Sequence, residues 1–298
     1  MQAHTAGVTL ESEEFGDSAA PLVVLIMGLG EQIGGMEFPA DFCTGLAARG
    51  FRVVRFDNRD VGLSSHFDDR GTPDISGFFA AQAQGRIIAP AYTAADMADD
   101  IAGLLDHLAV DRAHVAGASL GGIIARWFAA RHPHRCASLT AIMTGHARTP
   151  GGPPLSAMDK SAAARMLTKT DPLDRDAAID GYIAAWRSYN GSGFDFDEDH
   201  VRACAERSFD RAYHPAGVGR QVTAITPGLL QAEQRISAPT IVFHGDEDPL
   251  FGLDHPRLIV QNIPGAELEI VRGMGHEMPP AVWPRLATAI QRAAARAG

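Results

Sequence analysis

Gly117-Ala118-Ser119-Leu120-Gly121 reads G-x-S-x-G. Ala113-His114-Val115-Ala116 before it is a short apolar run that suits a buried strand. Gly122-Ile123-Ile124-Ala125-Arg126-Trp127-Phe128-Ala129-Ala130 after it suits a helix. A serine on a tight strand-to-helix turn sits in strained backbone, with its hydroxyl presented beyond the end of the strand. Gly117 and Gly121 leave room for strand and helix to approach closely. The bland alternative is a loop serine between chance glycines. The strand before it and the helix after it favour Ser119 as a nucleophile.

Outward from this turn, apolar runs alternate with helical patterns. Pro21-Leu22-Val23-Val24-Leu25-Ile26-Met27 is a continuous apolar run, as in a parallel strand covered on both faces. Residues 39–49 read as a helix stopped by Gly50, and Phe51–Phe56 as the next strand. Thr93 caps a helix to about Leu108, with Met97, Ile101, Leu104 and Leu105 at helical spacing. Ala137–Met143, Pro239–His244 and Leu268–Val271 read as further strands, and about 280–296 as a closing helix. This alternation predicts an α/β chain with a mostly parallel sheet and helices on both faces. Chemistry then collects at the carboxyl ends of the strands.

The interval 146–236 breaks the alternation. Thr149-Pro150-Gly151-Gly152-Pro153-Pro154 opens it as a loop, and helical patterns with Met158, Met166, Trp186 and Tyr189 follow. It reads as an inserted helical cap. Residues 1–145 and 237–298 are the core domain.

Composition bounds the function. The 298 residues include 46% hydrophobic ones, enough for a sizeable core, and carry a formal net charge of −10. With no basic patch, nucleic acid is excluded as a partner. Leu22–Met27, the longest apolar run, is too short to span a bilayer, so no stable membrane insertion is expected. The N-terminal residues carry no secretory signal. Cys43, Cys136 and Cys204 are odd in number and widely spaced, which fits a reducing, cytoplasmic setting rather than a disulfide framework or a zinc site. Asp195-Phe196-Asp197-Glu198-Asp199 lacks the glycine and terminal glutamate of a calcium loop and reads as a solvated acidic turn. No metal is expected, because no H-x-x-x-H pair or other close ligand cluster is visible. The sequence leaves monomer and homodimer equally open.

A serine hydroxyl needs a base within hydrogen-bond reach, and the base needs an orienting acid. In enzymes that carry the nucleophile on such a strand-to-helix turn, the chain order is serine, acid, histidine. The acid candidates follow Pro239–His244 in Gly245-Asp246-Glu247-Asp248-Pro249. Asp248 is favoured, because the chain turns at Gly245 and Pro249 stiffens the loop. Asp246 is the runner-up, with a turn-capping role as its plainer reading. Among 12 histidines, His276 in Gly273-Met274-Gly275-His276-Glu277 follows the last strand and precedes the closing helix, where the base must lie. An oxyanion needs two backbone N–H donors. Leu120 supplies one, directly after the serine. Leu29, in Met27-Gly28-Leu29-Gly30 after the first buried strand, supplies the other. A dinucleotide reading of this loop fails, because the third glycine of G-x-G-x-x-G falls on Ile33. No cofactor is expected.

These residues together resemble the α/β-hydrolase superfamily over nearly the whole chain. Asp57-Asn58-Arg59-Asp60-Val61-Gly62-Leu63-Ser64 is similar to its D-x-R-G-x-G-x-S segment, with Asp60 in place of the glycine. Met27-Gly28 stands where a His-Gly pair is common. The Met-Gly loop, the Asp-Asn-Arg-Asp segment and Gly-Met-Gly-His resemble aclacinomycin methylesterase-like enzymes and lipase-G-type carboxylesterases more closely. The resemblance adds weight to Asp248. It implies ester hydrolysis through an acyl-serine intermediate, with a small-molecule ester as partner. Thioester, C–C bond and cofactor-free perhydrolase chemistry would use the same triad. A ligand-binding protein on this fold is the alternative outside catalysis. Met158, Met166, Trp186, Tyr189 and Phe194 are candidates to line an apolar pocket for a small to medium substrate, with cap packing as the plainer role of each.

Overall fold

Leu22–Ile26 is apolar at every position because both of its faces are covered. In the computed structural model, Leu22, Val24 and Ile26 join one core cluster, and Val23 and Leu25 the other. The period-two alternation of a strand is thus hidden when both sides are buried. The structure describes residues 1–5, 7–84, 86, 88–146, 155–162, 174–225 and 228–298.

The strands are β1 (Gln2–His4), β2 (Thr9–Phe15), β3 (Leu22–Ile26), β4 (Arg52–Phe56), β5 (Ala113–Ala118), β6 (Cys136–Ile142), β7 (Thr240–Gly245) and β8 (Glu267–Val271). They form one sheet in the order β1-β2-β4-β3-β5-β6-β7-β8. β4 through β8 run parallel to β3, whereas β1 and β2 pair antiparallel at one edge. The edge pair is an addition to the sequence reading. Thr-Leu-Glu-Ser-Glu-Glu-Phe on β2 is mostly polar, with Leu10 and Phe15 as its apolar residues, and never forms an apolar run.

The described helices are α1 (Ala40–Ala47), α2 (Ile75–Ala83), α3 (Ala94–His107), α4 (Leu120–Arg131), α5 (Arg175–Tyr189), α6 (Glu198–Arg211), α7 (Pro215–Thr223), α8 (Leu229–Glu233), α9 (Asp254–Asn262) and α10 (Trp283–Ala295). Thr93 caps α3 through a reciprocal capping box with Asp96. Met97, Ile101 and Leu104 of α3 and Ile124 and Phe128 of α4 cover one sheet face. Phe42 and Leu46 of α1 and Leu286 and Ile290 of α10 cover the other. Each such side chain, fully buried, contributes about 1.5–3 kcal/mol. The helices between β6 and β7 divide in their packing. Ile179, Ile183 and Trp186 of α5 meet Val201 and Ala205 of α6 in a separate cluster with Leu250 and Phe251. Ala224, Leu229, Ala232 and Ile236 pack instead into the main sheet core. The acidic turn resolves into a helix start, where Asp197 caps α6 by accepting the His200 N–H at 2.9 Å.

Candidate active site

β3 lies between β4 and β5, so connections leave the sheet in opposite directions on either side of it. Crevices at such a switch point gather loops from two strands. Here they are the turn after β5, which carries Ser119, and the loop after β3, which carries Leu29. A Cβ added to Gly28 would lie 3.0 Å from Ser119 Cβ, so the two segments touch.

Ser119 has φ 52° and ψ −117°, a strained backbone for a side-chain-bearing residue. Its N–H donates to Ile142 O at 2.9 Å, and its carbonyl accepts from Thr144 Oγ1 at 2.7 Å. The surrounding structure thus holds the turn in place. The glycines act as their spacing implies. A Cβ at Gly117 would sit 2.1 Å from Gly121 O, and one at Gly121 would sit 2.1 Å from Ile26 O.

His276 joins the serine and the acid. Its Nε2 lies 3.0 Å from Ser119 Oγ, and its Nδ1 lies 2.8 Å from Asp248 Oδ2. Asp248 Oδ1 accepts the Leu250 N–H at 2.8 Å and the Phe251 N–H at 2.9 Å. Burial raises the Asp248 carboxyl, but His276, His244 and the Phe251 N–H outweigh it and hold the group below the usual carboxylate range. The runner-up, Asp246, instead accepts the Gly273 N–H at 2.6 Å. It braces the loop that carries His276.

The loop after β3 is tied on each side of Leu29. Asn58 Nδ2 donates to Met27 O at 2.8 Å. Gly28 N–H donates to Glu37 Oε2 at 2.5 Å, and Gly30 N–H to Gln221 Oε1 at 2.9 Å. The Leu29 N–H donates to no acceptor among the described residues. Leu120 opens α4, where N–H groups have no partner within the helix. Asp57 also serves this region. It accepts the Ile33 N–H at 2.7 Å and pairs with Arg211 of α6 at 2.7 Å. Asp60 stands where the resembled segment has glycine. Its φ of 69° is the left-handed conformation that glycine adopts freely and aspartate tolerates. Its carboxylate pairs with Arg220 of α7 at 2.8 Å.

Ser119, His276 and Leu29 line a cavity of about 240 Å³, together with Trp186 and Tyr189. Met158 packs against the α5–α6 cluster and Phe194 against the sheet core, and neither is among the lining residues. Met166 lies outside the described residues. Glu31, Glu37 and Tyr182, which the motifs do not single out, also line the cavity. A charged residue inside a Gly-rich, apolar loop is the signal that was available for the first two.

Helix α5 and the turn after it are fastened to the loops that carry Asp248 and His276. His276 N–H donates to Tyr189 O at 2.8 Å, and Gly193 N–H to Gly273 O at 2.9 Å. Ser192 donates through its N–H and its hydroxyl to Glu247 at 2.6 and 2.7 Å. Glu277 Oε1 accepts the Gly191 N–H at 3.2 Å and the Gly275 N–H at 3.1 Å. Its Oε2 is buried without a partner among the described residues. Burial raises this carboxyl to about 7 despite the two N–H donors. The folded state therefore binds this proton more tightly than the unfolded chain. Glu277 stabilises the fold below its ordinary range near 4.5, and that contribution is lost as pH rises through about 7. The full swing is about 3 kcal/mol. Glu277→Gln keeps an acceptor oxygen but cannot ionise. Its melting temperature is expected to gain on the unsubstituted protein from pH 5 to pH 8. Thermal melts across that range check this, and a constant difference would contradict it.

Three possible metal ligands do come together. His66, Asp68 and His214 place donor atoms within 4.8 Å of one another, although the first two are far from the third in sequence. The Arg220 guanidinium already occupies this cluster, donating to Asp68 at 2.9 Å and contacting His214 Nε2 at 3.1 Å. The three cysteines are free and buried. Among the described residues, no helix is long and apolar enough to cross a membrane.

Comparison with known proteins agrees with this fold. A family model of the alpha/beta hydrolase fold matches residues 21–279. Rhodomycin D methylesterase DauP of Streptomyces sp. (strain C5) is 30% identical over 305 residues, covering 95% of this chain and 94% of the relative. Rhodomycin D methylesterase DnrP of Streptomyces peucetius is 30% identical, with the same coverage of both chains. Among solved structures, the enol-lactonase from Burkholderia xenovorans LB400 superposes with a TM-score of 0.72 at 21% identity, covering 98% of this chain and 99% of that one. At that identity the likeness concerns the fold alone. The parallel sheet, the serine turn after β5 and the family match over most of the chain lead to one conclusion: the chain belongs to the α/β-hydrolase family.

Proposed function

We propose that the protein is a serine carboxylic-ester hydrolase working through an acyl-serine intermediate. The observation that carries this reading is the continuous contact Ser119 Oγ–His276 Nε2–His276 Nδ1–Asp248 Oδ2, with distances of 3.0 and 2.8 Å, at the wall of a cavity. Asp248 accepts the Nδ1–H of His276, which leaves Nε2 free to take the serine proton. Ser119 attacks the ester carbonyl. The N–H groups of Leu29 and Leu120 hold the resulting oxyanion. His276 then protonates the departing alcohol. Water, deprotonated by the same imidazole, attacks the acyl-serine and releases the acid. The chemistry needs no cofactor. The rhodomycin D methylesterase relatives support an ester bond as the target.

The α5–α6 pair acts as a cap that sets specificity. Ile179, Trp186 and Tyr189 line the cavity with Ser119, as do Val61 and Leu250. None of the described lining residues is Lys or Arg. An uncharged, largely apolar acyl group therefore fits, and a carboxylate at its far end does not. A methyl ester of an apolar acid is expected to exceed the matched half-ester, with a terminal carboxylate, by at least about tenfold in kcat/KM. Steady-state hydrolysis of such a pair is the test. Equal rates would overturn the specificity claim, and hydrolysis of neither by the folded protein would count against the esterase reading. The free, buried cysteines support a reducing compartment such as the cytoplasm.

A further inference from the structure

Two buried carboxyls lie beside the proposed oxyanion loop, and the ester mechanism uses neither. Glu37 is 3% exposed and Glu31 7% exposed, and both line the cavity. We propose that Glu37 is a positioning residue for the oxyanion loop, and that Glu31 and Tyr182 extend its brace to helix α5. The inference rests on the serine esterase reading above.

The geometry supports it link by link. Glu37 Oε2 accepts the Gly28 N–H at 2.5 Å, one residue before the proposed donor Leu29. With Gln221 on Gly30 and Asn58 on Met27, this fixes the peptide plane of the loop on both sides of Leu29. The other oxygen, Oε1, lies 2.7 Å from the point where a Cβ on Gly28 would sit, and Ser119 Cβ lies 3.0 Å from the same point. Any charge on Glu37 is therefore felt at the serine. Glu31 Oε2 accepts the Met36 N–H at 2.9 Å and the Glu37 N–H at 3.5 Å, which holds the segment that carries Glu37. Glu31 Oε1 accepts the Tyr182 O–H at 2.7 Å. The chain of contacts thus runs from α5 to Gly28.

The surroundings of Glu37 favour its neutral form. Burial, and then the neighbouring Glu31 carboxyl, push it well above the usual carboxylate range, against the opposing pull of the Gly28 N–H. An anion here would oppose the negative charge that develops on the substrate oxygen. Glu31 is the charged neighbour of Glu37, and Tyr182 and Tyr189 of α5, Tyr213, His214 and His276 share the cavity lining with it. Arg55 of β4 donates to the carbonyl of the adjacent Phe38 at 2.6 Å. Asp57 and its partner Arg211 lie farther along the loop, at Ile33.

Glu37→Leu and Glu37→Gln test the role, read by kcat and KM for a p-nitrophenyl ester and by the rate at which a fluorophosphonate labels Ser119. Leucine removes the acceptor for Gly28. It is expected to lower kcat and the labelling rate by about 10²-fold with KM within about threefold. Glutamine keeps an acceptor oxygen and recovers most of that loss. It also cannot ionise, so the decline of activity at alkaline pH is expected to move upward relative to the unsubstituted protein. If the leucine variant does not fold, this pH comparison decides alone. Unchanged kcat in the leucine variant, or identical alkaline limbs for glutamate and glutamine, would overturn the proposal. Labelling and turnover of the unsubstituted protein are measured alongside. Their absence would instead bring down the esterase reading.

Discussion

Replacing Ser119 by alanine is expected to lower kcat for p-nitrophenyl esters by about 10⁴–10⁶-fold while the protein stays folded. In the proposed mechanism the loss is large because the oxygen that attacks the carbonyl is gone. Base, acid and oxyanion donors remain, but they act on nothing. Folding survives because Ser119 holds its turn through main-chain groups, its N–H on Ile142 O and its carbonyl on Thr144 Oγ1. Neither bond needs the side-chain hydroxyl. The positive φ of 52° persists in the variant, and alanine adopts it at no greater steric cost than serine. Steady-state rates together with circular dichroism check both halves. Activity within about tenfold of the parent would rule Ser119 out as nucleophile.

Asp248→Asn is expected to cost about 10⁴-fold in kcat at neutral pH. The reason lies in what already surrounds the carboxylate. Oδ1 accepts two N–H groups, from Leu250 and Phe251, so in the variant the amide oxygen takes that place. The amide nitrogen then faces His276 Nδ1, which must become an acceptor. The ring proton moves to Nε2, the atom 3.0 Å from Ser119 Oγ, where the base must accept a proton. The histidine stays in position but in the wrong tautomer. Asp246→Asn is the companion variant. Its oxygen still accepts the Gly273 N–H, so its kcat is expected to stay within about threefold of the parent. Equal losses in the two variants would contradict the assignment of the acid.

Much of this site is legible in the sequence because its parts sit at fixed places in the order of elements. The turn after β5 carries Ser119, the loop after β7 carries Asp248 and the loop after β8 carries His276. A parallel sheet brings those three loops to one edge, so sequence order converts into proximity. Thr93 and Gly50 likewise marked helix ends by local chemistry alone. What stayed hidden depends on long-range partners. Trp186 and Tyr189 reach the cavity, whereas Phe194 turns to the sheet core, and helical or loop spacing carries no sign of that difference. Glu31 acquires its place only when Tyr182 arrives from 151 positions away. The cluster of His66, Asp68 and His214 is assembled in the same way, across the seam between β4's loop and α7. β1 and β2 escaped notice for another reason. Their mostly polar residues suit an edge pair and lack the apolar run that marks the inner strands.

The most direct test of the central claim is chemical. The folded protein is treated with a fluorophosphonate, digested, and the modified peptide sequenced by mass spectrometry. A single adduct on Ser119, lost in His276→Ala, is the expected result. No adduct, or an adduct on another residue with Ser119 unmodified, would contradict the serine hydrolase mechanism.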